Sequence, residues 1–241
     1  MSSCKAAALQ SSMLQSHYLG RVPFDDTYRL QRQLWQQRVA GEIPDQLLLL
    51  EHNPVITLGS GFKPEHLRVR PERLRELGVE VRQTDRGGDV TYHGPGQLVG
   101  YFILDLKPDR MDVSRYLRDI ERIINLTLQE YSISARQRPG FTGVWVQDRK
   151  IASIGVKISR WVTYHGFALN VNTDLSYFDL MVPCGIQNVK MTSIERETGR
   201  QHDLRAVADT MSRNAQAVFA PHSYHSTAPE GNSSVTLKEA D

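Results

Sequence analysis

Residues 86–97 read Arg86-Gly87-Gly88-Asp89-Val90-Thr91-Tyr92-His93-Gly94-Pro95-Gly96-Gln97, with four glycines and a proline. No stable helix runs through such a stretch, because each interior glycine costs about 1 kcal/mol and a proline about 3 relative to alanine. Apolar segments flank it, Val79-Glu80-Val81 before and Leu98–Leu106 after, so the chain must pass here through extended pieces and tight turns. Two readings stand side by side. Glycine lets the backbone approach a ligand closely and take positive φ, which suits a substrate-cradling loop; glycine near strands also marks bulges that bind nothing. The pattern is neither the G-x-x-x-x-G-K-[ST] phosphate loop nor a G-x-G-x-x-G turn ahead of a helix, so it does not announce a nucleotide.

Helix and strand patterns alternate around this stretch. Leu30, Leu34 and Trp35 after Asp25-Asp26 predict a helix. Gln46–Glu51 and Val55–Leu58 predict buried strands split by the Asn53-Pro54 turn, and Pro71–Leu77 a short helix stopped by Gly78. Val113, Tyr116, Leu117, Ile120, Ile123, Ile124 and Leu128 recur at helical spacing, with Asp112 as N-cap. Strands are expected near Val144–Val146, Ile151–Ile158 and Trp161–Val171, and a last helix through Leu204, Val207, Ala208, Met211 and Val218. Strands adjacent in sequence with unevenly placed helices predict an α+β domain, a mixed β-sheet flanked by helices. Residues 17–220 are read as one domain, 1–16 as a flexible start with little transit-peptide character, and 221–241 as a disordered tail.

Composition narrows the function. Lys plus Arg is 29 against 27 Asp plus Glu, a net charge of +2, which disfavours nucleic-acid binding or a polybasic membrane anchor. The longest aliphatic run, Leu47–Leu50, falls far short of the roughly 20 residues of a membrane span. Cys4 and Cys184 alone make neither a disulfide framework nor a Cys-rich metal site; no metal and no cofactor is expected. Arg68, Arg70, Arg73 and Arg75 form a basic cluster, readable as a docking patch or as a solvated helix face.

Three further segments carry candidate chemistry. Lys150 opens the apolar run Ile151-Ala152-Ser153-Ile154-Gly155 beside a hairpin tip at Asp148-Arg149; a solvated edge lysine is the plainer reading. In Tyr164-His165-Gly166-Phe167-Ala168-Leu169-Asn170 the Gly-Phe-Ala step permits close approach, while His165 alone reads as a core histidine. Cys184, between Pro183 and Gly185, is either a small buried hydrophobe or a thiol presented on a sharp turn as a nucleophile.

In this order the four segments resemble the signature of the lipoyl(octanoyl) transferase family, related in fold to lipoate and biotin protein ligases, and the match spans roughly residues 17–220. The resemblance implies octanoyl transfer from octanoyl-acyl carrier protein to a lysine of apo-lipoyl domains, those of 2-oxoacid dehydrogenases and the glycine cleavage H protein. It implies a catalytic pair, Cys184 and Lys150. It also implies an acyl site at Arg86, Gly87, Gly88, Asp89, Val90, Thr91, Tyr92, His93, Ser153, Ile154, Gly155, Gly166, Phe167 and Ala168. A cytoplasmic monomer is expected, or a mitochondrial matrix protein if the source is eukaryotic.

Elementary electrostatics allows these roles. Lowering a thiol from about 8.5 to 7 takes roughly 2 kcal/mol, and an ammonium about 4 Å away supplies about 4 kcal/mol at an effective dielectric near 20. One lysine therefore suffices without a Cys–His–Asp arrangement. The rivals are an ATP-using ligase of the same fold, a Cys–His hydrolase using His93 or His165, and a binding module with no chemistry.

Overall fold

The computed structural model describes residues 14–220. Its main sheet runs β1 (Gln15–Val22), β2 (Gln46–His52), β6 (Gln97–Ile103), β10 (Val162–Asn170), β9 (Arg149–Ser159), β8 (Phe141–Val146) and β7 (Arg136–Arg138), with the two-residue β11 (Lys190–Met191) also paired to β9. β1–β2 and β11–β9 are parallel and the other pairs antiparallel. The expected mixed sheet is therefore present.

Strand alternation explains the apolar runs. In β2, Leu47 and Leu49 face one core while Leu48 and Leu50 face another; in β6, Leu98 and Phe102 oppose Val99, Tyr101 and Ile103 in the same way. The first face is covered by α3 (Val113–Glu130) and α5 (Leu204–Phe219), through Ile120, Ile124, Leu128, Val207 and Met211. Helix α1 (Phe24–Val39) covers the second, with Leu30, Leu34 and Trp35. A sheet clothed on both sides needs apolar residues at successive positions, hence the unbroken leucines. Asp112 caps α3 by accepting from the Arg115 N–H at 3.0 Å.

β3 (Val55–Leu58) leaves the main sheet to start a second one, ordered β4 (Glu80–Gln83), β3, β5 (Val90–His93). Helix α2 (Pro71–Glu76) supplies Leu74 to a small core with Ile56, Val90, Tyr92 and Phe178. The Gly94-Pro95-Gly96 step returns the chain to β6. Short α4 (Ile194–Thr198), capped by Ser193, precedes α5.

Two expectations change. For residues 14–16 the expected flexible start does not hold: Leu14 is buried, and Gln15 and Ser16 pair with Gln46 and Leu47. Residues 1–13 and the expected tail 221–241 lie outside the described residues. The hairpin tip falls at Gln147-Asp148, one residue early, because Arg149 already pairs with Val146.

Candidate active site

The two sheets diverge around a cavity of about 470 Å³. Two of the sequence segments meet there as cross-strand partners: Ser153, Ile154 and Gly155 on β9 lie opposite Ala168, Phe167 and Gly166 on β10. β5 contributes Thr91 and His93 to the wall. Val90 and Tyr92, which the resemblance placed in the acyl site, do not line it; strand alternation turns them into the small core, where Tyr92 stacks on Tyr177. The Arg86–Asp89 loop closes one side. Arg86 is buried and donates to the Thr57 carbonyl at 2.7 Å and to Thr57 Oγ1 at 2.9 Å, and the Gly87 N–H donates to the Val156 carbonyl.

Lys150 is 1% exposed, not an edge residue. β9 lies between β8 and β10, and β11 pairs with β9 at this position. Its stem passes over Gly143, and its Nζ lies 3.4 Å from Cys184 Sγ. The Trp145 ring is 5.6 Å from Nζ. Among the described residues no carboxylate forms an ion pair with Lys150. An ammonium buried without an opposite charge is strongly unfavourable, so the natural counter-ion is a Cys184 thiolate.

Cys184 sits on the turn Pro183–Gly185 with φ 56° and ψ 20°, the left-handed region that costs a non-glycine residue about 1–2 kcal/mol. Its own burial pushes the thiol pKa up. The Lys150 charge, the Ser153 hydroxyl at 3.6 Å and the Arg86 guanidinium outweigh that and leave it below the ordinary value. A thiol and a lysine amine thus share one contact, an arrangement chemically suited to covalent acyl transfer.

The histidines are engaged elsewhere. His93 is bonded to Gln97 at 2.8 Å and Thr57 at 3.3 Å, and burial pulls its pKa down to about 3. His165 is bonded to the Asp85 carboxylate at 3.0 Å, and burial lowers it too. Neither is hydrogen-bonded to Cys184, so a Cys–His hydrolase lacks its geometry. His165 is a buried histidine, as its plainer reading held, yet it also lines the cavity. Of the basic cluster, Arg73 and Arg75 are paired with Glu76 and Glu72 on the exposed face of α2, which favours the solvated-face reading.

Thr57, Tyr101, Phe141 and Ile186 also line the cavity and were missed. Thr57 left a signal as the one polar residue in Val55–Leu58; Phe141 left only an aromatic beside Gly140.

Residues 24–216 match the family described as the lipoyl protein ligase A/B catalytic domain. The chain belongs to that family. Within the lipoyl protein ligase A/B family it is similar to an octanoyltransferase of Rubrobacter xylanophilus, 52% identical over 190 residues, covering 78% of this chain and 85% of the relative. An octanoyltransferase of Chloroflexus aurantiacus is 47% identical over 210 residues, covering 86% and 94%. The chain is accordingly an acyltransferase of the family. Its fold is that of a bi-partite lipoate protein ligase from Thermoplasma acidophilum, TM-score 0.67 at 15% identity over 86% of this chain and 84% of that one. A lipoate-protein ligase A bound with ATP gives TM-score 0.64 at 15% identity, over 86% and 85%; at such identities the likeness speaks for the fold alone.

Gly143 sets the path of the lysine. Its φ is +126°, and an added Cβ would stand 2.6 Å from the Ala152 carbonyl and 2.7 Å from Lys150 Cε. Gly143→Ala is expected to cost about 2–4 kcal/mol, read as a lowered Tm, and to slow transfer by displacing the ammonium.

Proposed function

We propose that this enzyme moves an octanoyl group from octanoyl-acyl carrier protein to a lysine of apo-lipoyl domains through a thioester on Cys184. The observation that carries the proposal is the 3.4 Å contact between Cys184 Sγ and the buried Lys150, which forms no ion pair with a carboxylate among the described residues. In the first half, the thiolate attacks the donor carbonyl, the bond to the pantetheine sulfur breaks, and the Lys150 ammonium protonates the departing sulfur. The acyl group now rests on Cys184 and Lys150 is neutral. In the second half, Lys150 takes one proton from the incoming lysine ammonium and the freed amine attacks the thioester. Collapse expels the Cys184 thiolate, the second proton lost by the nitrogen leaves to water, and the starting ion pair is restored. A thioester is exchanged for a thioester and then for an amide, so no step calls for ATP.

The cavity supports an acyl tail. Leu117, Phe141, Ile154, Val156 and Phe167 supply apolar wall, and each buried methylene is worth about 0.8 kcal/mol. A hexanoyl donor, two methylenes shorter, is expected to lose about 1.6 kcal/mol, roughly fifteenfold in kcat/KM; equal rates for both donors would contradict this use of the cavity.

Purified protein incubated with octanoyl-acyl carrier protein and an apo-lipoyl domain, without nucleotide, tests the proposal directly. Octanoylated domain is the expected product. Transfer only from free octanoate with ATP would show a ligase, and release of octanoate at a matching rate without acceptor would show a hydrolase.

A further inference from the structure

Cys184 and Gly185 are consecutive residues with positive φ, 56° and 69°, in a turn of three residues, and something must hold that turn against Lys150. The backbone supplies one brace. The Val182 N–H donates to the His66 carbonyl at 2.8 Å, the Arg68 N–H to the Leu180 carbonyl at 2.9 Å, and Leu67 bridges to Met181. The segment Pro64–Arg68 therefore lies alongside the chain entering the turn.

The second brace is made of side chains. His66 Nδ1–H donates to Asp89 Oδ2, and Asp89 Oδ1 accepts from the Val90 N–H at 2.7 Å, which fixes the carboxylate to the start of β5. Both side chains are nearly buried, 12% and 10% exposed. Gly185 backs directly onto this pair: a Cβ there would stand 2.8 Å from Asp89 Oδ2 and 3.3 Å from His66 Cε1.

We propose that His66 and Asp89 are positioning residues, a clamp behind Gly185 that keeps the Cys184 sulfur within reach of Lys150. The resemblance placed Asp89 among the acyl-binding positions; the clamp gives its carboxylate a different task. It rests on the reading of Cys184 as the reacting thiol. When the clamp is released the sulfur drifts from the ammonium and the thiol loses the interaction that keeps it ionised.

The test is the pH profile of iodoacetamide alkylation at Cys184, followed by mass spectrometry of its peptide so that Cys4 does not contribute. Alkylation needs neither acyl donor nor acceptor, so its outcome is independent of which group the enzyme carries. His66→Ala is expected to move the midpoint up by about one unit, a tenfold slower reaction at pH 7. His66→Asn places an amide nitrogen near the Nδ1 position and is expected to stay within about twofold of the unaltered protein. His66→Gln places its nitrogen near Nε2 and is expected to behave like His66→Ala. The Asn and Gln variants decide the matter even if the alanine variant does not fold. Equal profiles for Asn and Gln, or a folded His66→Ala protein with an unchanged midpoint, would overturn the clamp.

Discussion

Cys184→Ser is expected to lower acyl transfer by roughly 10³-fold or more and to abolish the base-labile acyl adduct that mass spectrometry would find on the unaltered protein. The reason lies in the site rather than in general nucleophilicity. Lys150 stands 3.4 Å from the sulfur and is able to hold a thiolate, whose ordinary pKa is near 8.5. The same ammonium falls far short of ionising an alcohol near neutral pH. The turn geometry accommodates serine without steric penalty, so the variant is expected to fold normally. Full transfer by this variant would end the covalent mechanism and favour direct attack of the lysine on the donor thioester.

Lys150→Met is expected to separate activity from stability. Methionine matches much of the buried volume, and the Cys184 sulfur can answer the loss of the ammonium by keeping its proton, so that no uncompensated charge is left in the site; Tm is expected to stay close to that of the unaltered protein. Transfer is expected to fall by roughly 10²–10⁴, the range for loss of a positioned proton donor. The sign of the accompanying pH shift follows from the site. Lys150 is the first of the groups that pull the Cys184 pKa down against burial. Without it the opposition to burial weakens, the pKa rises, and the acid limb of the alkylation profile moves to higher pH. A methionine variant with the original acid limb would show that the lysine does not ionise the thiol.

Much of the architecture could be read from local patterns. The alternating assignment of Leu47–Leu50 to two cores is what a doubly covered sheet demands of sequence, and α3 announced itself by its spacing and its Asp112 cap. β1 escaped because Gln15–Val22 is half exposed along its length, so no run of apolar residues marks it. β5 was hidden inside the glycine-rich stretch: Val90–His93 is four residues long, and its neighbours drew attention to loops.

The site divides in the same way. Its residues came from the resemblance, and single-residue reasoning on Lys150 pointed to an exposed edge. Burial of that lysine depends on β11, a two-residue strand brought back beside β9 from 41 positions further along, and no local pattern carries such a contact. Val90 and Tyr92 show the converse: a contiguous block was carried over whole, whereas a strand sends alternate side chains to opposite faces. His66 left no sequence signal, because its partner Asp89 is 23 residues away and their meeting point is a turn from a third part of the chain.

The central claim is that a buried ammonium keeps the Cys184 sulfur ionised. The rate of Cys184 alkylation in the unaltered, substrate-free protein, followed from pH 5 to 10, tests it with nothing else in play. A titration centred below the ordinary thiol value of about 8.5 is the result expected from Nζ at 3.4 Å; a midpoint at or above that value would contradict it.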